Sequence, residues 1–213
     1  GPSKAAHFCK GAAPTITLTA TPSQDGGTFK WTFEAGGTKA EIKGSDTKKT
    51  VEIKGKAASD NAGDVTVKVE YKLGTQTATD TKTLTVQEPT SVFCFNKGTD
   101  SAFTGPPPWG HSRTITYQVD DQFKKAMEFV MPVSEKVDVT SNPCNLPTEN
   151  ADGKTDDVGQ FKDELHAFSK KGPLKPECFP ITADQEFSIG GCKVTPKITI
   201  THTLTDDTSS ACQ

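Results

Sequence analysis

The run CKVTPKITITHTL, residues 192–204, constrains the fold more than any other stretch of the chain. Cys192, Val194, Ile198, Ile200 and Leu204 fall on one parity. Lys193, Thr195, Lys197, Thr199, Thr201 and Thr203 fall on the other. Successive side chains of an extended chain point to opposite faces, so an apolar row backed by threonine is a strand half-buried in an antiparallel sheet. The same alternation recurs from end to end, and no segment of comparable length carries the helical period of about 3.6 residues. The expected fold class is all-β.

At 213 residues the chain suits two modules, since domains commonly run to about 100 residues each. Its hydrophobic content of 32% is low, and thin sandwiches tolerate that because only one face of each sheet is dry. The clean alternation argues against a disordered chain of similar composition. Net charge is −3 and the pI is near 5.8. There is no basic stripe of the kind that neutralises phosphates, which speaks against nucleic acid as a partner. No apolar run approaches the roughly 18 residues of a membrane span, so the chain reads as soluble and not membrane-spanning.

Strands are expected at TITLTA (15–20), GTFKWTF (27–33), AEIK (40–43), TVEIKG (50–55), GDVTVKVEYKL (63–73) and TQTATDTKTLTV (75–86). Phe29, Trp31 and Phe33 share one face, with Trp31 as the core plug, and so do Val65, Val67, Val69, Tyr71 and Leu73. The turn-forming clusters PSQDGG, EAGG, GSDTKK and SDNAGD separate them, the spacing of a β-sandwich. The order of an opening T-x-T-x-T strand, GTFKWTF, GDVTVKVEY and a closing TATDTKTLTV resembles bacterial immunoglobulin-like modules of the polycystic-kidney-disease (PKD) or "Big" type over about residues 12–88. That resemblance implies an immunoglobulin-like sandwich serving as stalk, spacer or binding surface.

Gly1-Pro2-Ser3 looks like the scar of a tag-removing protease, and residues 1–11 are expected to form an arm outside the core. Glu88-Pro89-Thr90 reads as the linker, which places domain one at 12–89 and domain two at 90–213. The second half offers RTITYQVDDQ (113–122), with Ile115, Tyr117 and Val119 inward, then MEFVMPVSEKVDV (127–139), QFKDELHAF (160–168), QEFSIGG (185–191) and the strand at 192–204. QFKDELHAF could make two helical turns, but Phe161, Leu165 and Ala167 fit strand parity better. YQVDDQFKKAMEFVMPVSEKV with TDDVGQFKDEL (155–165) is similar to transthyretin-like or carboxypeptidase-regulatory-like sandwiches. The turn Phe123-Lys124-Lys125 lacks that family's glycine, and NPCNLPTENADGKTDD is a longer insertion than the family needs. The architecture expected is therefore two consecutive antiparallel β-sandwich domains, the first immunoglobulin-like and the second immunoglobulin-like or transthyretin-like.

Six cysteines, Cys9, Cys94, Cys144, Cys178, Cys192 and Cys212, form no C-x-x-C and match no common zinc spacing. Three disulfides in an oxidising compartment are the simplest reading. If residues 192–204 are one strand, they span roughly 40 Å at about 3.3 Å per residue, too far for the tail to return and bridge Cys192 to Cys212. Only a break at Pro196 would allow that pairing.

Candidate chemistry is sparse. GPPPWGHSR (105–113) is stiffened by three prolines. On an exposed loop, Trp109, His111 and Arg113 would stack on a sugar or anchor a protein partner. Asn150, Asp152 and Asp156 space oxygen donors as a Ca2+ loop would, although no closing Glu follows and a solvated turn is the better reading. His202 shares the apolar parity of its strand and reads as a hydrogen-bonded core-edge residue. Glu135 shares parity with Val133 and Val137. A buried Glu there could catalyse a Lys–Asn cross-link, but no partner is placed, so a strand-end Glu in water is favoured. No G-x-S-x-G, H-E-x-x-H or cysteine nucleophile context occurs. The expected function is a non-enzymatic binding, adhesion or presentation module of a bacterial secreted or surface protein, with a protein or glycan partner and no resident cofactor. An accessory domain of a secreted machine or toxin, or a carbohydrate-binding module, is the rival; a periplasmic location would also suit the cysteines.

Overall fold

The computed structural model describes residues 2–59, 64–96, 100–103, 109–149, 153–170 and 172–202. The chain divides into two units, Gly1–Pro89 and Thr90–Gln213. Among the described residues, helix is confined to the 3-10 turn Pro176–Cys178.

Unit one contains β1 (Lys4–Ala6), β2 (Ile16–Thr19), β3 (Thr28–Ala35), β4 (Ala40–Lys43), β5 (Thr50–Gly55), β6 (Val65–Leu73) and β7 (Gln76–Gln87). One sheet has the order β1-β7-β6-β3 and the other β2-β5-β4. Ladders are antiparallel except for β1, which pairs with β7 in parallel through Lys4↔Thr85 and Ala6↔Gln87. The core forms where the expected apolar rows meet: Leu18, Trp31, Val51, Ile53, Val65, Val67, Leu84 and Val86 are all buried. Trp31 is anchored as well as packed, because its Nε1–H donates to the Lys48 carbonyl at 2.8 Å.

The N-terminal arm is a correction to the sequence reading. Lys4–Ala6 belongs to the sheet, and Ala5 and Ala6 are fully buried. Three residues are too few to show a period. The small alanine side chains let this strand lie against Gly55, where an added Cβ would come within 2.4 Å of the Ala6 carbonyl oxygen.

Unit two contains β8 (Pro89–Asn96), β9 (Asp100–Phe103), β10 (Trp109–Asp121), β11 (Pro132–Ser141), β12 (Thr148–Glu149), β13 (Gly153–Lys154), β14 (Gln160–Ser169), β15 (Ile181–Ile189), β16 (Cys192–Lys193) and β17 (Ile198–His202). Its sheets run β12-β14-β10-β8, with β9 also on β10, and β13-β11-β15-β16, with β17 also on β15. The expected linker is short: only Glu88 separates β7 from β8. Pro89 can open β8 because a strand's first residue need not donate to a ladder.

Two expected strands change. Residues 192–204 are not one strand, because β16 ends at Lys193 and β17 begins at Ile198. Both lie along β15, but residues 194–197 stand opposite only residues 186 and 187, so the chain bulges around Pro196, which has no N–H for the ladder. The bulge adds an even number of residues, so parity survives and Cys192, Val194, Ile198, Ile200 and His202 all point inward. The geometric case against Cys192–Cys212 loses its premise with this break; Cys212, like residues 203–213 generally, lies outside the described residues. The strand expected from Met127 begins instead at Pro132. Met127 and Met131 are fully buried but plug the core from a loop. Their N–H groups go to the Val119 carbonyl at 3.0 Å and the Thr155 hydroxyl at 2.8 Å. An apolar loop residue and an apolar strand residue look alike in sequence.

The turn lacking the expected glycine is built differently. Asp121, itself buried, accepts the N–H groups of Phe123 at 2.8 Å and Lys125 at 2.9 Å through Oδ1. That clamp holds Lys124 at φ 59°, the conformation a glycine would otherwise supply.

Candidate functional site

Two of the residues nominated from sequence, His111 and Arg113, turn inward. β10 starts at Trp109, four residues before the expected start at Arg113, so its inward parity extends back through Arg113 to His111. His111 is 4% exposed and Arg113 is fully buried, which corrects the exposed-loop placement of both. The Arg113 guanidinium donates through Nη1 to the Thr201 carbonyl at 3.1 Å. His111 Nδ1 lies 2.5 Å from His202 Nε2, a hydrogen bond that needs a proton on one nitrogen only. Phe179 packs edge-on against both rings. The Trp109 side chain and residues 104–108 lie outside the described residues, as do Asn150 and Asp152. Asp156 Oδ1 accepts from Val158 N–H at 3.0 Å and Gln160 N–H at 2.7 Å, closing a turn. Cys144 is bridged to Cys178, and Cys9, Cys94 and Cys192 are also disulfide-bonded.

A buried polar chain runs through the core of unit two. Tyr117 stacks on Phe161 and meets Phe187 at a tilt, each at a centroid distance of 5.0 Å, and donates its hydroxyl to Gln185 Oε1. Gln185 Nε2 donates to Asp163 Oδ2 at 2.8 Å. Both carboxylate oxygens of Glu135 are buried as well, contrary to the strand-end reading. Burial, and then the Asp163 and Glu135 carboxylates, hold the Tyr117 hydroxyl well above the ordinary phenol range; the Gln185 hydrogen bond acts the other way. Folded Tyr117 therefore keeps its proton at pH values where an unfolded tyrosine, with a pKa near 10, has lost it. Stability is expected to fall as pH rises above about 10, by about 1.4 kcal/mol per pH unit from this group. Urea titrations at rising pH should show a steeper alkaline loss in the native chain than in Tyr117→Phe. Parallel profiles would contradict the assignment.

The accessible site lies in unit one. β6 and β7 pair as a long hairpin from Val65↔Leu84 to Leu73↔Gln76, whereas the facing strands β2 and β5 stop at Thr19↔Thr50. The hairpin's inner face therefore emerges from cover. On β6, Val65 and Val67 are buried and Tyr71 and Leu73 only half-buried. On β7, Leu84 is buried, Lys82 half-buried, and Asp80, Ala78 and Gln76 exposed. Between this overhang and the chain leaving β2 is a cleft of about 780 Å³. Its apolar wall is Phe29, Trp31, Val69, Tyr71 and Leu73. Tyr71 is fixed at the mouth, donating to the Gln24 carbonyl at 2.7 Å and accepting the Gly27 N–H at 2.8 Å. Its ring lies 4.8 Å from that of Phe29.

Beside the cleft runs a sheet edge that stands open among the described residues. β1 covers β7 only at Thr85–Gln87. There the Thr85 N–H donates to the Ser3 carbonyl at 2.9 Å, and the Gln87 carbonyl accepts the His7 N–H at 2.8 Å. Odd-numbered residues of β7 thus turn their backbone groups to this side. By the two-residue period, Thr77, Thr79, Thr81 and Thr83 present theirs on the same edge. Threonine at alternate positions was visible in the sequence; that this edge stands open was not.

No family model and no curated protein matches the chain. Solved structures similar to it include a chimeric titin Z1Z2 functionalized with an exogenous decorin peptide, at 12% identity over 90% of each chain with a TM-score of 0.38. Another is an endo-fucoidan hydrolase of glycoside hydrolase family 107, at 14% identity over 93% of this chain and 27% of that one, TM-score 0.34. A third is titin Z1Z2 in complex with telethonin, at 13% identity over 93% and 88%, TM-score 0.30. At these values the likenesses carry no argument, and the all-β architecture stands on the strand pairing described above.

Proposed function

We propose that the protein is a non-enzymatic binding and presentation module of an oxidising, extracytoplasmic compartment, and that unit one grips extended polypeptide at the β7 edge. The observation carrying this reading is the row of threonine backbone groups at Thr77–Thr83 beside an apolar cleft. A strand added there gains main-chain hydrogen bonds from the edge and a bed for alternate side chains from the cleft. Within the core of unit two Arg113 bonds the Thr201 carbonyl and Asp163 accepts from the Gln185 amide, as structural groups do. Disulfide-bonded cysteines suit an oxidising location. No helix among the described residues is long and apolar enough to cross a membrane. In this reading unit one is a PKD- or Big-type module of a bacterial secreted or surface protein, working in adhesion or presentation.

The test is to pan a displayed library of extended peptides against the full chain and map contacts by hydrogen exchange. Binders are expected to protect the amides of Thr77–Thr83 and to lose affinity at least about tenfold in Thr79→Pro, which removes one edge donor. Protection confined elsewhere, or binding of glycans alone, would overturn the reading. So would turnover on a broad hydrolase panel.

A further inference from the structure

We propose that the polypeptide received by β7 carries a basic residue followed two places later by a large apolar one, laid antiparallel along Thr77–Thr81; the proposal rests on the polypeptide-binding reading of the same edge. β1 takes the edge from Thr85 onward, with the Ser3 carbonyl on the Thr85 N–H, so the added strand is short and ends at Thr81. Thr77, Thr79 and Thr81 turn their backbone groups outward, and each exchanges both hydrogen bonds with the residue it faces. Ala78 and Asp80 between them fall at the closer-set positions of an antiparallel ladder, where facing side chains approach most nearly. These two residues therefore select the strand. In an antiparallel strand the residue opposite Asp80 comes two places before the residue opposite Ala78.

The registers of the sheet place Phe29, Tyr71 and Ala78 in one row across β3, β6 and β7. The Tyr71 ring is drawn toward β3. Its hydroxyl bonds Gln24 and Gly27, its ring packs on Phe29, and a Cβ on Gly27 would lie 2.4 Å from Tyr71 Cζ. Ala78, with a single methyl, is exposed in the wall of the cleft beside that ring. A strand on the β7 edge lies two strand spacings, about 10 Å, from β6. A large apolar side chain facing Ala78 leans over the methyl to the Tyr71 ring, removing apolar surface of both from water. A small or charged one leaves that wall wet.

One pair further along, Asp80 stands beside Val69, with Trp31 beyond it. Across β6, then, it faces apolar residues and no cation. Asp80 Oδ1 accepts the Thr81 N–H at 2.8 Å, the same N–H that an added strand takes for its own carbonyl. Pairing hands that N–H to the incoming backbone and frees the carboxylate. A lysine or arginine directly opposite takes the carboxylate up, and a cross-strand pair of opposite charge favours the ladder. An acidic residue there sets two carboxylates face to face, which opposes it. Lys82, the next residue on this face, lies beyond the added ladder. Charges on an exposed edge ordinarily repel indiscriminate strand addition; Asp80 admits the strand that neutralises it.

Fluorescence anisotropy on the full chain at low salt tests this order with capped five-residue threonine peptides carrying lysine second and phenylalanine fourth. Replacing the lysine with glutamate is expected to weaken binding about fivefold, and replacing the phenylalanine with threonine about tenfold. Exchanging the two residues should weaken it as well, because the exchanged order fits only a parallel strand. Asp80→Lys should reverse the preference in favour of the glutamate peptide. Ala78→Trp, which fills the row, should erase the preference for phenylalanine over threonine. Both positions are exposed, so the thermal melt should not move. Equal affinities across the peptides, or preferences that survive both substitutions, overturn the proposal. Hydrogen exchange separates its failure from that of the broader reading. Protection of Thr77–Thr81 without sequence preference removes this proposal alone, whereas protection confined to other amides, or no binding by any peptide, removes both.

Discussion

Replacing Gln185 with leucine is expected to destabilise unit two by about 2–5 kcal/mol. The side chain is fully buried and serves two partners at once, accepting from the Tyr117 hydroxyl and donating to Asp163 Oδ2. Leucine preserves much of the volume but does neither. Each buried group that loses its partner costs about 1–3 kcal/mol, and the low local dielectric makes a half-satisfied network worse than an apolar one. Denaturant titration of the variant measures the loss. Tyr117→Phe combined with Gln185→Leu should cost less than the sum of the two single changes, because the phenylalanine leaves no hydroxyl to strand. A loss below about 1 kcal/mol for Gln185→Leu would mean that water or a rearranged neighbour replaces the amide.

Removing the Cys144–Cys178 bridge by Cys144→Ala with Cys178→Ala is expected to cost about 3–4 kcal/mol. The cysteines are 34 residues apart in sequence, and the loop-entropy relation gives about 3.8 kcal/mol for a loop of that size. The closed loop carries β12, β13 and β14, whose short members β12 and β13 are two residues each and contribute little ladder of their own. Asn142 already pins the start of the loop, its amide donating to the Leu146 carbonyl at 2.8 Å and accepting the Leu146 N–H at 2.9 Å. The bridge adds a long-range tie that these local bonds cannot. Comparison of the double variant with the parent chain in oxidising buffer gives the number. Equal stabilities would show that the loop retains its order unfolded and that the bridge constrains nothing.

The strands of unit one were legible because each carries its own local record. Trp31 flanked by Phe29 and Phe33, and the valine row from Val65 to Val69, state by period alone which face is dry. In unit two the same rule found Ile115, Tyr117 and Val119, and it kept its parity across the bulge at Pro196 even though the strand itself broke. It failed where local pattern is silent or misleading. Ala5 and Ala6 are too few to show a period, and Met127 and Met131 are apolar without being extended. His111 and Arg113 read as surface residues because polar side chains usually are. Their burial depends on partners far along the chain, Thr201 and His202, which sequence spacing does not bring together.

The sequence by itself determined that the chain is all-β, which residues alternate inward, and that its cysteines suit disulfides better than a zinc site. Those follow from the two-residue geometry of extended chain and from side-chain chemistry, both local. Only the tertiary structure decided which edge is unpaired among the described residues, because an edge is defined by the strand that is not beside it. Thr77–Thr83 became a candidate site when β1 proved to cover only the last turn of the ladder and β2 proved too short to roof the hairpin. Covered strands and open ones are written with the same residues, and pairing alone tells them apart.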